Sequence, residues 1–227
     1  MNATALQSAP ARLLVRPLGR CDYADALALQ EQLLAEVASG AAPEQVLLVE
    51  HPPVYTLGRG ADAADQRDAP QRLGAPVFRV GRGGGATFHG PGQLVAYPIV
   101  RLRAGGRDVH GYVRTLEQAL IETCAHYGIA AAAPAGETGV WVGARKIGSI
   151  GIGVRRRVAY HGIALNVSTD LSWFAPIVVC RSAALALTSM AELLDAAPPL
   201  AHVGAAFARA LAARLQCDLE GEATPWP

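Results

Sequence analysis

The hydrophobic positions of the chain follow a helical period in two long segments. In residues 22–39 the apolar side chains fall on one side of a helix that Asp22 would begin and Gly40 would end. Residues 108–128 repeat this spacing and stop at Gly128. Two later segments, 188–194 (TSMAELL) and 200–215, predict helices that close the chain.

Alternating or continuous apolar runs predict strands between the helices. They cover residues 12–18, 45–50, 76–80 and 94–102. Residues 51–60, HPPVYTLGRG, turn and extend again, because two prolines exclude a helix. Residues 139–168 are typical of successive antiparallel strands, with tight turns at Gly143–Ala144 and at the arginines 155–157. We therefore expect an α+β fold, a mostly antiparallel mixed sheet flanked by helices, with a small C-terminal lobe as an option.

Composition bounds the class of protein. The 227 residues are 51% hydrophobic and carry a net charge of +1, so a sizeable core is expected and a general affinity for nucleic acid or anionic membranes is not. We expect a single domain over 1–227, with a flexible start (1–11) and a C-terminal tail (220–227). No apolar run is long enough to span a membrane, and the N-terminus lacks the pattern of a secretory signal. These features predict a cytoplasmic protein with reduced thiols.

A glycine-rich segment, GRGGGATFHGPGQ (81–93), is predicted to be a loop that exposes its main chain to a ligand. It is not a P-loop, because no Gly-Lys-Ser/Thr follows, and it lacks the strand-to-helix context of a dinucleotide fingerprint. Arg82, Thr87 and His89 place polar groups within it. The alternative is a glycine-rich hairpin without a ligand.

Lys146 is the only lysine among the twenty basic residues. Arginine keeps its charge at all accessible pH values, whereas an ammonium can lose its proton when desolvated, so the two are not interchangeable. A chain that uses arginine everywhere else is expected to keep this lysine for chemistry. The alternative is that its survival is accidental.

Cys180 ends an irregular apolar segment, WFAPIVVC (173–180), and is the candidate nucleophile. A thiol needs a nearby cation or base to become a thiolate at neutral pH, which a Cys180–Lys146 pair would provide. The other cysteines, Cys21, Cys124 and Cys217, are expected to be inert. His161, which opens the predicted strand HGIALNVS (161–168), and Asn166 are auxiliary candidates, with structural roles in the core or in a turn as the alternative. The histidines and cysteines lack metal-ligand spacing, so we expect no metal.

Five segments together resemble the lipoyl(octanoyl) transferase family over roughly residues 12–195. They are HPPVYTLGRG, RGGGATFHGPGQLVAYPI, GVWV with RKIGSIGI, HGIALNVSTDL, and a cysteine 34 positions after the lysine. The resemblance implies the fold of biotin and lipoate protein ligases and a single catalytic domain that needs no cofactor. It implies an acyltransferase that moves an octanoyl or lipoyl group from octanoyl-acyl carrier protein to a lysine ε-amine on apo lipoyl domains. Acceptors would be 2-oxoacid dehydrogenases and the glycine-cleavage H protein.

The resemblance also implies roles for individual residues. Cys180 would carry the acyl group as a thioester, and Lys146 would lower the pKa of the cysteine and shuttle the proton. The implied substrate-binding residues are Arg82, Gly83, Gly84, Gly85, Ala86, Thr87, Phe88, His89, Ser149, Ile150, Gly151, Gly162, Ile163 and Ala164. His89 and His161 remain alternatives to Lys146 as general base.

The chain departs from the family at the nucleophile. The family reads Pro-Cys-Gly, whereas this chain reads Val179-Cys180-Arg181. Arg181 adds a second cation and removes a glycine whose N–H could serve an oxyanion. Two other functions stay open on the sequence: an ATP-dependent lipoate or biotin ligase, and a catalytically weakened acyl-binding relative.

Overall fold

A computed structural model describes residues 11–62, 74–102, 108–178 and 186–221. The predicted nucleophile Cys180 and its neighbours Val179 and Arg181 lie outside the described residues. The predicted flexible start and tail also lie outside them, except Ala11, which begins the first strand, Glu220, which ends the last, and Gly221, which follows it. Within the described ranges no helix is long and apolar enough to cross a bilayer.

Three α-helices and ten strands make up the described structure. The helices are α1 (Tyr23–Ser39), α2 (Val109–His126) and α3 (Leu200–Leu215). The strands are β1 (Ala11–Arg20), β2 (Gln45–Glu50), β3 (Val54–Leu57), β4 (Val77–Arg79), β5 (Ala86–His89), β6 (Gln93–Arg101), β7 (Val140–Val142), β8 (Arg145–Arg155), β9 (Val158–Asn166) and β10 (Cys217–Glu220).

Seven strands form a mixed sheet in the order β10-β1-β2-β6-β9-β8-β7. β1 runs parallel to β2 and β10, and the remaining pairs are antiparallel. A second sheet, in the order β4-β3-β5, packs against the turn at Leu171–Phe174. The α+β prediction with a mostly antiparallel mixed sheet is confirmed.

Helices cover both faces of the large sheet. α2 and α3 pack their apolar sides on one face, and α1 packs on the other through Leu33, Leu34 and Val37. The inner strands β2, β6 and β9 are therefore buried on both faces. This burial explains why their sequences are continuous apolar runs rather than alternating ones.

Four details of the sequence prediction are wrong. The predicted glycine loop contains strand β5, which pairs with β3 after the glycines have made the turn. TSMAELL forms only a 3₁₀ turn at Met190–Glu192, because the Thr188 and Ala191 N–H groups are bound to Lys146 and Val167 carbonyls instead of continuing a helix. His161 lies inside β9 rather than at its start.

The fourth error is the optional C-terminal lobe. α3 packs against the same sheet face as α2, and β10 extends the main sheet by pairing with β1. The turns at Gly143–Ala144 and at the exposed Arg155–Arg157 are where the sequence predicted them.

Candidate functional site

A cavity of about 160 Å³ lies between β8 and β9 on one side and the turn before β5 on the other. Its wall contains most of the residues singled out in the sequence: Arg82, Gly84, Gly85, Ala86, Thr87, His89, Lys146, Ser149, Ile150, Gly151, His161, Gly162, Ile163 and Ala164. Segments distant in sequence thus meet at one site.

Three described candidates do not line this cavity. Phe88 points to the opposite side of β5 from Thr87 and His89, as strand alternation requires, and packs against Tyr55 and Trp173. The Gly83 N–H donates to the Ile152 carbonyl and joins the turn to β8. Asn166 lies behind the wall, where it supports Gln93.

Lys146 is buried, with 2% of its surface exposed. β8 places it beside the cavity, opposite Trp141 of β7. Its Nζ atom donates to the Thr138 carbonyl at 2.9 Å and lies 4.5 Å from the centre of the Trp141 ring. Its backbone N–H and C=O are bound to Ala186 and Thr188. A fixed ammonium at a cavity wall can stabilise a negative sulfur or oxygen atom nearby.

Arg82 holds the turn before β5 in place. Its guanidinium donates to the Thr56 carbonyl at 2.7 Å, to the Thr56 hydroxyl at 2.8 Å and to the Gly83 carbonyl at 2.9 Å. Gly151 makes this approach possible, because a Cβ there would lie 3.0 Å from the Arg82 Cδ. The side chain is buried, so its charge also acts on the neighbouring histidines.

A chain of hydrogen bonds fixes the tautomer of His89. The Asn166 amide donates to the Thr188 carbonyl, and its oxygen accepts from Gln93 Nε2 at 3.0 Å. Gln93 Oε1 is therefore left to accept from His89 Nδ1, at 2.8 Å. With the proton on Nδ1, the Nε2 atom of His89 is a hydrogen-bond acceptor. Burial, followed by the effect of His51, lowers the pKa of His89 to about 3, so the ring is neutral.

His51 supports a second part of the wall. Its Nδ1 lies 2.7 Å from the Cys21 carbonyl and must donate to it, so its Nε2 accepts from the Tyr97 hydroxyl at 2.8 Å. Burial lowers the pKa of His51 to about 4. The Tyr97 oxygen, on the cavity wall, is thus left as an acceptor.

His161 is held in an unusual backbone conformation, with φ of 57° inside a strand. The β6–β9 ladder is interrupted here, opposite Pro98, which has no N–H to donate, and the His161 N–H binds the Gln30 side chain instead. Both ring nitrogens are buried without a hydrogen-bond partner. Burial, then Arg82 and Arg59, lowers the pKa of His161 to about 4. The neutral ring therefore brings one unused donor and one unused acceptor to the cavity.

Sequence reasoning missed three residues of the wall: Tyr23, Tyr97 and Thr138. Tyr97 lies in an apolar strand, and its hydroxyl was the only available signal. Thr138 contributes its backbone carbonyl to Lys146, and a backbone role of this kind cannot be inferred from the type of side chain. Tyr23 stacks on His89, with ring centroids 6.2 Å apart.

None of the other three cysteines lines the cavity. Cys124 is buried in the core, where desolvation raises its pKa to about 12, and Cys21 and Cys217 are half-buried. In the ranges that the structure covers, no cluster of three His, Cys, Asp or Glu residues could hold a metal ion.

Comparisons with known proteins extend beyond the site to most of the chain. A family model for the lipoyl protein ligase A/B catalytic domain matches residues 22–212. An octanoyltransferase of Geobacter metallireducens is 47% identical over 191 residues, which cover 84% of this chain and 88% of that protein. One of Solibacter usitatus is 51% identical over 200 residues, with 86% and 89% coverage.

Solved structures with the same fold are more distant in sequence. A lipoate-protein ligase A bound with ATP superposes with a TM-score of 0.71 at 17% identity, covering 94% of this chain and 88% of that one. A biotin protein ligase from Aquifex aeolicus gives 0.51 at 10% identity, with 91% and 69% coverage. These likenesses confirm the predicted ligase-like fold. The sequence matches show that the chain belongs to the lipoyl protein ligase A/B catalytic domain family and, within it, to the octanoyltransferases.

Proposed function

We propose that the protein transfers an octanoyl group from octanoyl-acyl carrier protein to the ε-amine of a lysine on an apo lipoyl domain, through a thioester on Cys180. The observation that carries the proposal is the identity of 47–51% to octanoyltransferases over most of the chain. Membership of that family makes the protein an acyltransferase.

The cavity suits an acyl chain. A volume of about 160 Å³ has room for on the order of ten water-sized groups. Ile150, Ile163 and Ala164 give its wall an apolar surface between the strands. Burying six methylene groups would contribute about 5 kcal/mol at 0.8 kcal/mol each, which supports binding of an octanoyl chain without ATP.

Lys146 supplies the charge that the first step needs. Its backbone is hydrogen-bonded to Ala186 and Thr188, and Cys180 precedes Ala186 by only six residues in the sequence. The Cys180 thiolate attacks the thioester carbonyl carbon, the bond from that carbon to the carrier sulfur breaks, and the carrier leaves as a thiol after taking a proton. The Lys146 ammonium stabilises the attacking thiolate and donates that proton.

The second step releases the acyl group and regenerates the free cysteine. The lysine ε-amine of the lipoyl domain attacks the Cys180 thioester, the carbon–sulfur bond breaks and an amide forms. The proton lost by the amine passes to the neutral Lys146 amine, which restores the ammonium–thiolate pair.

The partners and compartment follow from this chemistry. The donor is octanoyl-acyl carrier protein, and the acceptors are lipoyl domains such as those of 2-oxoacid dehydrogenases and the glycine-cleavage H protein. A lipoyl group, being of similar length, is an alternative donor group. A nucleophilic thiol needs a reducing compartment, which favours the cytoplasm.

Intact-mass measurement after mixing the protein with octanoyl-acyl carrier protein tests the proposal. We expect one hydroxylamine-sensitive octanoyl adduct, which Cys180→Ser abolishes and the control Cys21→Ser retains. An adduct that persists in Cys180→Ser would contradict the proposal.

Two other outcomes identify the alternatives. Modification of a lipoyl domain by Cys180→Ser with ATP and free octanoate would indicate a ligase. Binding of octanoyl-acyl carrier protein without any adduct would indicate that Val179 and Arg181 have left an acyl-binding protein.

A further inference from the structure

We propose that Glu117 of α2 is a positioning residue, which fixes the Lys146 ammonium through the peptide unit between Thr138 and Gly139. The inference deepens the proposed function, since it rests on Lys146 acting as the partner of Cys180. Glu117 does not line the cavity and would act only through this peptide.

Glu117 presents a fully buried carboxylate to the segment before β7. Its Oε1 atom accepts a hydrogen bond from the Gly139 N–H at 3.2 Å. Its Oε2 atom accepts from the Arg114 guanidinium at 2.5 Å, one turn earlier on α2. Arg114 is more than half exposed and pairs with the outer oxygen, which leaves the inner oxygen to accept from the backbone.

The same peptide unit contacts Lys146 from its other end. The Thr138 carbonyl accepts from Lys146 Nζ at 2.9 Å, while the Gly139 N–H points to Glu117. A peptide unit is rigid and planar, so its N–H and C=O cannot turn independently. The bond to Glu117 thus sets the direction of the carbonyl that holds the ammonium. A negative charge at the N–H also polarises the unit and strengthens its oxygen as an acceptor.

The backbone around this peptide is shaped to the lysine side chain. Gly139 has φ of 129°, and a Cβ there would lie 2.7 Å from Lys146 Cε and 2.6 Å from the Gly148 carbonyl. The β7–β8 register shifts directly afterwards, between Val140 and Trp141. This irregularity lets the Thr138 carbonyl and the Trp141 ring approach the same ammonium.

Packing alone does not require a carboxylate at position 117. The Arg114 side of the ion pair is more than half exposed, and an ion pair screened by solvent contributes little to stability. Leu116 and Leu120, on the same helix, show that α2 accommodates leucine in its buried face. The role of the Glu117 carboxylate therefore lies in its other contact, the hydrogen bond from the Gly139 N–H.

The single lysine makes a direct test possible. Protein labelled with ¹³Cε-lysine gives NMR signals from Lys146 alone, and the nearby Trp141 ring should displace its Hε signals from the free-lysine position. We expect Glu117→Gln, which keeps an acceptor but loses the charge, to move the signals part of the way to the free position. Glu117→Leu should move them further. Glu122→Gln, which removes an exposed ion pair of the same helix, is the matched control and should leave them in place.

Transfer kinetics provide the second readout. Glu117→Leu should lower the kcat of octanoyl transfer about 100-fold with KM unchanged, because misplacing a catalytic group by about 1 Å has an effect of this size. Glu117→Gln should lie between this variant and the wild type. A purely structural carboxylate would lower stability and leave the kcat of the folded fraction unchanged.

The two readouts separate the inference from the proposed function. If the wild type forms no octanoyl adduct, the proposed function fails, while the NMR comparison still reports whether Glu117 holds Lys146. Lys146 signals that superimpose in wild type and folded Glu117→Gln would overturn the inference. Glu117→Gln alone decides it if Glu117→Leu does not fold.

Discussion

Lys146 and Trp141 face each other across the β7–β8 pair, with the Lys146 Nζ atom 4.5 Å from the centre of the indole ring. The ring face attracts an ammonium but cannot take its proton. The Thr138 carbonyl likewise accepts a hydrogen bond without basicity. Neither contact competes with the proposed substrate for the proton of Lys146.

Lys146→Arg should lower octanoyl transfer by about 10²–10⁴-fold, although it keeps the charge, because a guanidinium does not exchange protons at neutral pH. Single-turnover transfer to a lipoyl domain measures the effect. Trp141→Phe, which keeps an aromatic face, is the control and should lose far less activity. Wild-type rates in Lys146→Arg would refute the proton-transfer role.

Arg82→Lys should raise the KM for the octanoyl donor and lower the melting temperature. A lysine could not reproduce the fork that binds the Thr56 carbonyl, the Thr56 hydroxyl and the Gly83 carbonyl together. Each hydrogen bond lost in a buried site costs on the order of 1 kcal/mol, so the turn before β5 should loosen. Thermal unfolding and initial rates check the two effects. As a control, Arg12→Lys changes an exposed ion pair and should alter neither.

Much of the fold could be predicted because apolar periodicity reports burial directly. β2 and α3 have the predicted bounds, and α1 begins one residue after its predicted cap, Asp22. The 3₁₀ turn at Met190–Glu192 could not be predicted, because its backbone is bound to Lys146 and Val167, which are distant in sequence. Tertiary hydrogen bonds there override a local helical pattern.

The sequence could predict part of the cavity wall. Lys146 and the turn containing Arg82 line it, and unusual residue usage marks both in the sequence. The contribution of Thr138 is a backbone carbonyl, and that of Glu117 is a buried carboxylate on an amphipathic helix, where charged residues are normally exposed. Neither has a signature in one sequence. The position of Cys180 relative to Lys146 remains a prediction.

Acid should destabilise the protein through three buried histidines. In the unfolded chain a histidine titrates near pH 6.5, whereas burial lowers the pKa of His51 and His161 to about 4 and that of His89 to about 3. Between those values the unfolded state binds more protons, so the free energy of unfolding falls as the pH is lowered from about 6.5 toward 4. Each histidine contributes about 1.4 kcal/mol per pH unit in that window.

Urea unfolding at about pH 7, 6 and 5 measures this slope. His89→Gln should reduce the slope below about pH 6.5 by the contribution of about one proton. Above about pH 7 the slope of this variant should equal that of the wild type, because the imidazole is neutral in both the folded and the unfolded state. A free energy of unfolding that does not change between pH 6.5 and 5 would show that the histidines are not held neutral.

The backbone of His161 should invert the usual order of glycine and alanine in a strand. At its φ of 57° a Cβ is strained, so His161→Gly should be more stable than His161→Ala by about 1 kcal/mol. Ala159→Gly is the control, since that residue lies in the same strand with an ordinary φ and should be less stable as glycine. Thermal unfolding of all three variants measures the difference. If His161→Ala is at least as stable as His161→Gly, the strand relaxes at this position and its backbone is not strained. A fixed, strained cavity wall would then not explain why the imidazole keeps two buried nitrogens without hydrogen-bond partners.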